Sequence, residues 1–298
     1  MQIVLTGSYS LLGKYLLATQ PRNEAPEGII DYKHEIIPTY RNNGEGIQLD
    51  VSKFADVVEK IFLIQPDLII HCAANGDVDE VEKDPGLAVE SDLMGVRNLV
   101  KYCEGTNCGL ITISSNAVYD GKCGPYTDED ERHPINFYGK IKSMADDIVE
   151  QSACSWMIIR PIFLYGWPNE NGRGNWVTKL INLLSNDKEV RLVDDSYTQP
   201  TYAFHLAEKI WQLIGGHNWK ESFNIAGEDK MSIYEFGLKV AEVFDLDSSR
   251  IHRAKLSDFK TIAPRPYDTC FSFPHNKKSR CKLLGVDSGL MHMKINFI

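Results

Sequence analysis

The first thirteen residues constrain this chain more than any other stretch. Gln2 to Thr6 is a short apolar run that reads as a buried strand. It passes directly into Gly7 and then into a helical pattern from about Leu11. A strand delivered through a glycine turn onto a helix leaves the first-turn backbone N–H groups facing the end of the strand, where they suit an anion such as a pyrophosphate. Gly7 permits the sharp turn, and Gly13 permits the helix to pack close to the sheet. Ser10 stands where a dinucleotide-binding turn carries its middle glycine, so its side chain is expected to crowd the pyrophosphate. A plain strand–helix turn would share the pattern of the two glycines, so its context must decide.

That context repeats the same alternation. Glu35 to Thr39 reads as a second strand, and Ser52 is positioned to cap a helix from Phe54 to about Gln65, which Pro66 ends. Asp67 to Ala73 is a third strand, apolar almost throughout, and Pro85 opens a long helix through Val100. Leu110 to Ile113, a helix from Phe137 to about Gln151, and Ser155 to Arg160 complete the series. Strands without polar alternation, separated by helices, predict an α/β fold: a doubly wound parallel (Rossmann) sheet with its ligand crevice at the carboxyl ends of the strands. Beyond Arg160 the pattern loosens. Pro168 to Gly174 reads as a loop, Pro200 to Gly215 as a helix, Ser222 to Ile225 as a strand and Ser232 to Phe244 as a helix. The expected organisation is a dinucleotide-binding domain over 1–160, with the chain returning to it at about 200–226. A smaller C-terminal substrate-binding lobe is made of 161–199 and 227–298.

Composition narrows the functional classes. The chain has 298 residues, 43% of them apolar, which is enough for a sizeable core. Its formal net charge of −9 disfavours a nucleic-acid or anionic-membrane binder, while leaving room for small anions held by local positive sites. No apolar run is long enough to span a bilayer, and the N-terminus lacks the pattern of a signal peptide. Seven cysteines without a CxxC pair read as free thiols in a reducing compartment, so a cytoplasmic protein is expected. The eight histidines show no metal spacing, and no metal is expected.

Two further patterns carry chemistry. Tyr138 and Lys142 lie four apart, on one face of a helix. A free phenol titrates near 10, and a neighbouring ammonium favours its ionised form, which is what an acid–base phenol needs. Ser115, at the end of the strand that finishes at Ile113, faces the ligand crevice and suits the hydrogen bond that steadies a carbonyl oxygen becoming an alkoxide. At the end of the second strand, where an acidic residue would bind the ribose of NAD, the chain has Arg41, whose guanidinium suits a 2′-phosphate. NADPH is therefore expected, with NADH as the alternative. Asp50, beside Val51, either accepts from the adenine amino group or caps the helix that begins near Ser52.

In this order and spacing the glycine turn, the Ser114-Ser115 strand end and the Tyr138/Lys142 pair resemble the extended short-chain dehydrogenase/reductase family, most closely its dTDP-4-dehydrorhamnose reductase branch. The resemblance runs over nearly the whole chain. It takes in His71-Cys72-Ala73-Ala74, Val118-Tyr119-Asp120-Gly121, Arg160-Pro161 with Leu164-Tyr165-Gly166, Gly174-Asn175-Trp176-Val177, Pro200-Thr201 and Arg265-Pro266. It implies that Ser115, Tyr138 and Lys142 are catalytic. It also implies that Gly7, Ser10, Leu11, Gly13, Asp50, Val51, Ala73 and Ala74 line the cofactor together with Arg41, Tyr138 and Lys142. Asn116, Asn175, Trp176 and Arg265 would meet the substrate, Arg265 at its diphosphate.

The resemblance further implies NADPH-dependent reduction of the C4 ketone of a nucleotide-linked 4-keto-6-deoxy sugar, as in dTDP-rhamnose biosynthesis. The nucleotide stays open among dTDP, UDP, GDP and CDP, and a helix-mediated homodimer is expected. Three positions depart from relatives. Asp92 stands where the family often has asparagine. Asn116 and Ala117 replace the acidic pair of the 4,6-dehydratases, and Asn116 also replaces the cysteine of the epimerase/reductases, so dehydration and 3,5-epimerisation are disfavoured. The alternatives are a nucleotide-sugar 4-epimerase and a non-catalytic NADP-binding subunit like the β subunit of methionine adenosyltransferase.

Overall fold

Strands apolar on both faces require helices on both sides, and the chain supplies them. The computed structural model describes residues 1–21, 34–42, 44–170, 172–216, 218–273 and 281–296. Its elements run β1 (Gln2–Thr6), α1 (Leu11–Ala18), β2 (Glu35–Tyr40), β3 (Ile47–Gln48), α2 (Phe54–Ile61), β4 (Leu68–His71) and α3 (Val78–Lys83). Then α4 (Pro85–Ala88) runs without a break through a π-helical turn (Val89–Met94) into α5 (Gly95–Glu104). β5 (Gly109–Ile113), α6 (Phe137–Glu150) and β6 (Trp156–Pro161) follow. All the strands of the main sheet are parallel, and two later strands, β11 (Glu221–Gly227) and β14 (Lys282–Leu283), extend it to the order β14-β11-β6-β5-β4-β1-β2-β3. The winding reverses between β1 and β4, which puts the crevice at their carboxyl ends.

The period of two along the strands divides the core. Leu5, Ile70, Ile111 and Ile159 pack on one face with Leu16 of α1 and with Leu206 and Ile210 of α8 (Ala203–Gly215). Val4, Ile69, Leu110 and Ile158 pack on the other with Val57 of α2, Leu99 of α5 and Val149 of α6. The rest of the chain forms short pieces on the carboxyl side of the sheet. β7 (Leu164–Tyr165) pairs with β10 (Thr201–Tyr202), β8 (Val190–Val193) with β13 (Ile251–Ala254), and β9 (Tyr197–Thr198) with β12 (Met231–Ser232). Aromatic rings join α7 (Trp176–Ser185) to α9 (Ile233–Val243), where Trp176 stacks on Phe236 at 5.3 Å and Phe163 meets both edge-on. The C-terminal helix α10 (Val286–Ile295) packs on α9.

Several local expectations are corrected. α2 ends at Ile61 and not near Gln65, and Ser52 does not cap it. The Asp50 carboxylate instead takes the N–H (3.1 Å) and hydroxyl (2.6 Å) of Ser52, a side-chain-closed turn one step earlier. α8 starts at Ala203, because Thr201 and Tyr202 are used to pair with β7. α3, α7 and α10 are helices over stretches to which the sequence reading assigned no element. No helix among the described residues is long and apolar enough to cross a membrane.

Candidate active site

Two clefts open at the carboxyl ends of the strands, one of about 760 Å³ and one of about 410 Å³, and Ser10, Cys72 and Ala74 belong to the walls of both. The smaller cleft gathers Gly7, Ser10, Arg41, Asp50, Val51, Ala73 and Ala74. The larger gathers Ser10, Leu11, Ala74, Ser115, Asn116, Tyr138, Lys142, Trp176 and Arg265. Of the residues singled out in the sequence, Gly13 and Asn175 line neither.

Close approach explains the turn. Gly7 has a φ of +68°, and a Cβ there would sit 2.5 Å from the backbone nitrogen of Ala73. Gly13 acts one turn further on: a Cβ there would lie 2.3 Å from the Gly7 carbonyl oxygen, so Gly13 seats the helix behind the turn. The Ser10 hydroxyl is directed into the helix, where it accepts the Gly13 N–H at 3.1 Å as N-cap. The side chain is thus held as a cap while Ser10 still borders both clefts. At the far end of the small cleft the exposed Arg41 side chain stands 4.0 Å from the Asp50 carboxylate. Burial pushes Asp50 up, but the Ser52 hydrogen bonds and the charges of Arg41 and Lys53 outweigh it and hold the carboxyl below its usual range.

Ser115, Tyr138 and Lys142 meet where the end of β5 faces the first turns of α6. Asn136 caps α6, accepting the Gly139 N–H at 2.8 Å and donating to the Pro264 carbonyl at 3.0 Å. The buried Lys142 ammonium donates to the Ile113 carbonyl at 3.3 Å and lies 5.8 Å from the centre of the Tyr138 ring. Ser115 accepts the Ala117 N–H at 3.2 Å and donates to Asn116 Oδ1 at 3.3 Å, both long contacts that leave the hydroxyl available to a ligand. Burial works against the Lys142 charge, but Asp92, Tyr138 and Asp146 outweigh it and hold the ammonium above the usual lysine range. Beneath it, burial and the Lys142 charge push His71 down to about 3, leaving a neutral imidazole with Nδ1 2.6 Å from the Thr6 hydroxyl. Burial pushes the Cys72 thiol up to about 12.

On the opposite wall, Asn116 donates to the Thr269 hydroxyl at 2.5 Å, and Arg265 pairs with Asp79 at 2.9 Å while lining the cleft. Trp176 lines it too, but the Asn175 side chain is used as the α7 N-cap and in a hydrogen bond to the Gly166 carbonyl at 2.5 Å. Sequence reasoning missed Arg191 and Thr198 and used Ser114 only as part of the Ser114-Ser115 strand end. The Ser114 and Thr198 hydroxyls are buried in the cleft wall without a partner among the described residues. Neither Arg191 nor Thr198 has a local pattern to mark it, since β8 and β9 are too short to show one. The described wall of the larger cleft contains Lys142, Arg191 and Arg265 and no carboxylate, in a chain whose net charge is −9.

The family model of the RmlD substrate binding domain matches residues 1–283. A probable low-salt glycan biosynthesis reductase of Haloferax volcanii is 27% identical over 91% of this chain and 89% of its own. The methionine adenosyltransferase 2 subunit beta of Xenopus laevis is 31% identical over 68% of this chain, and the match spans 62% of that protein. The fold is that of a Bacillus anthracis dTDP-4-dehydrorhamnose reductase solved in complex with NADP, with a TM-score of 0.85, 24% identity and coverage of 99% and 98% of the two chains.

Proposed function

Because the chain belongs to the RmlD substrate-binding-domain family, we propose that it is an NADPH-dependent reductase of the C4 ketone of a nucleotide-linked 4-keto-6-deoxy sugar. The observation that carries the reading is the larger cleft. It joins a serine, a tyrosine and a buried lysine on one side to two arginines on the other, with no carboxylate in its described wall. Arg191 pairs with Asp258 at 2.7 Å and Arg265 with Asp79 at 2.9 Å, both carboxylates outside the wall, so the guanidiniums are held at the cleft for an anionic ligand such as a nucleoside diphosphate. Apolar Val78, Ile162, Phe163 and Trp176 share the wall and suit a C6 methyl group. The related reductases named above support the same class of reaction. On this reading the cofactor half is 1–160 with 200–226, and the substrate lobe is 161–199 with 227–298.

The dinucleotide fits the residues present: Gly7 keeps the turn open, and Ser10, Leu11 and Leu12 begin a helix in the cleft wall. Arg41, Asp50 and Val51 would hold the adenosine end, and Ala73 and Ala74 the middle. When bound, the cofactor supplies the hydride. Ser115 and Tyr138 hold the carbonyl oxygen by hydrogen bonds, and Tyr138 donates the proton as the alkoxide forms. Lys142 stabilises the phenolate left behind. Asn116 and Trp176 bound the sugar, and Arg265 takes the diphosphate once its guanidinium is shared with Asp79.

NADPH oxidation by the purified protein, followed against dTDP, UDP, GDP and CDP 4-keto-6-deoxy sugars, tests the reading. Turnover of one of them, slower with NADH, is the expected result. Tight NADPH binding with no oxidation by any of them would refute it in favour of a binding subunit.

A further inference from the structure

Lys142 poses a problem of charge. Among the described residues its buried ammonium has the Ile113 carbonyl as hydrogen-bond acceptor and makes no ion-pair contact. The charged and titratable groups around it are Tyr138 and Asp146 on its own helix, Asp92 on the π-helical turn that packs against that helix, His71 at the end of β4 and Cys72 just after it. His71 and Cys72 are both uncharged at neutral pH. Asp146 is already neutralised, since its carboxylate holds Arg160 at 2.8 Å and Arg132 at 3.3 Å. Asp92 remains. It is fully buried, has no cation against it among the described residues, and is held by the Asn75 N–H (3.1 Å) and the Ser91 hydroxyl (2.9 Å). A regular α-helix would carry this side chain on a different heading; the π turn between α4 and α5 sets it beneath the loop that leaves β4.

We propose that Asp92 is a positioning residue, the buried counter-charge that keeps Lys142 an ammonium beside Tyr138 while its hydrogen bond to Asn75 fixes the loop after β4. The Lys142 ammonium therefore keeps its proton to higher pH, and with it the positive charge that stabilises the phenolate left when Tyr138 gives its proton to a carbonyl. Removing the negative charge lets Lys142 lose its proton earlier, by about one pH unit for a charge acting through protein interior.

The kinetic part of this inference rests on the reductase reading; the stability part does not. Asp92→Asn keeps the shape and an acceptor for Asn75 and removes only the charge. In the NADPH oxidation assay the alkaline limb of its kcat/KM profile is expected about one unit lower than in the wild type.

Thermal unfolding without substrate or cofactor gives the second readout. With Asp92 present, the raised Lys142 stabilises the fold below the free-lysine range and that contribution fades as pH rises through it. In the variant the uncompensated ammonium destabilises the fold at neutral pH, and the deficit disappears as it loses its proton. The gap in Tm between the two proteins should therefore hold through neutral pH and narrow only above about pH 9, as the variant's Lys142 loses its proton before the wild type's. A third protein guards against a variant that does not fold: in a Lys142→Met background Asp92→Asn should cost much less than in the wild type. A parallel gap at every pH, an unmoved alkaline limb, or an undiminished cost in the Lys142→Met background would each overturn the proposal. A wild type that turns over no sugar nucleotide refutes the reductase reading and leaves the two stability results to decide on Asp92.

Discussion

Gly139, between Tyr138 and Lys142, joins packing to chemistry at a single atom. A Cβ built there would lie 2.1 Å from the Ala117 carbonyl oxygen and 2.9 Å from the Pro134 Cβ. Ala117 sits two residues after Ser115, in the short 3₁₀ turn that ends the β5 strand. To restore ordinary contact at 3.4 Å, the helix and the turn would have to separate by about 1.3 Å. Two effects of opposite sign meet in Gly139→Ala. In an open helix the alanine would add about 1 kcal/mol of stability. Here the obstacle is backbone and not the end of a flexible side chain, so overpacking at about 1–3 kcal/mol wins. The separation also moves Ser115 away from Tyr138 and Lys142, and a displacement of about 1 Å typically costs on the order of 100-fold in turnover. Gly139→Ala is thus expected to lower Tm by several degrees and kcat/KM about 100-fold, read by thermal unfolding and NADPH oxidation. Gly215→Ala, in α8 with nothing within 4 Å of the added carbon, is the control and should leave both unchanged or raise Tm slightly. A Gly139→Ala protein as active and as stable as the control would refute the reasoning.

Tyr138→Phe should reduce turnover at least about 100-fold, the usual scale of acid–base catalysis, with NADPH affinity by fluorescence nearly unchanged; near-normal turnover would remove the phenol from the mechanism. Arg41→Ala should abolish the preference for NADPH over NADH, measured as the ratio of the two kcat/KM values, because Arg41 is the guanidinium in the small cleft proposed to take the 2′-phosphate. An unchanged ratio would place the 2′-phosphate elsewhere.

The parallel sheet was legible because each of its main strands carries its own evidence. Ile3-Val4-Leu5 and Leu68-Ile69-Ile70 are apolar without alternation, and that pattern has few structural solutions other than burial between helices. Part of the two clefts was legible for a related reason: Gly7, Ala73, Ser115, Tyr138 and Lys142 lie at strand ends or on the helix that follows, within a few residues of a readable element. The far wall of the larger cleft was not. Arg191 and Thr198 lie on strands of four and two residues, too short for a period to show, and they reach the cleft through pairings with β13 and β12. The π turn is equally silent in sequence. Val89 to Met94 reads as ordinary helix, and only the burial of a carboxylate at Asp92 reveals that the backbone has been re-aimed. Asn175 shows the opposite error, since a residue type suited to a ligand was needed to cap α7.

The buried polar groups around the cleft weigh on the choice between an enzyme and a binding subunit. A fold that only presents a surface to a partner gains nothing from an ammonium buried at the carboxyl end of the interior strand β5, where desolvation costs several kcal/mol and a methionine would pack equally well. Nor does it gain from the Ser114 and Thr198 hydroxyls, each buried without a protein partner at a cost of about 1–3 kcal/mol. All three border the cleft that holds Tyr138. An ammonium and two unpartnered hydroxyls set beside one phenol are what proton transfer to a bound carbonyl requires, and docking alone would not call for that arrangement.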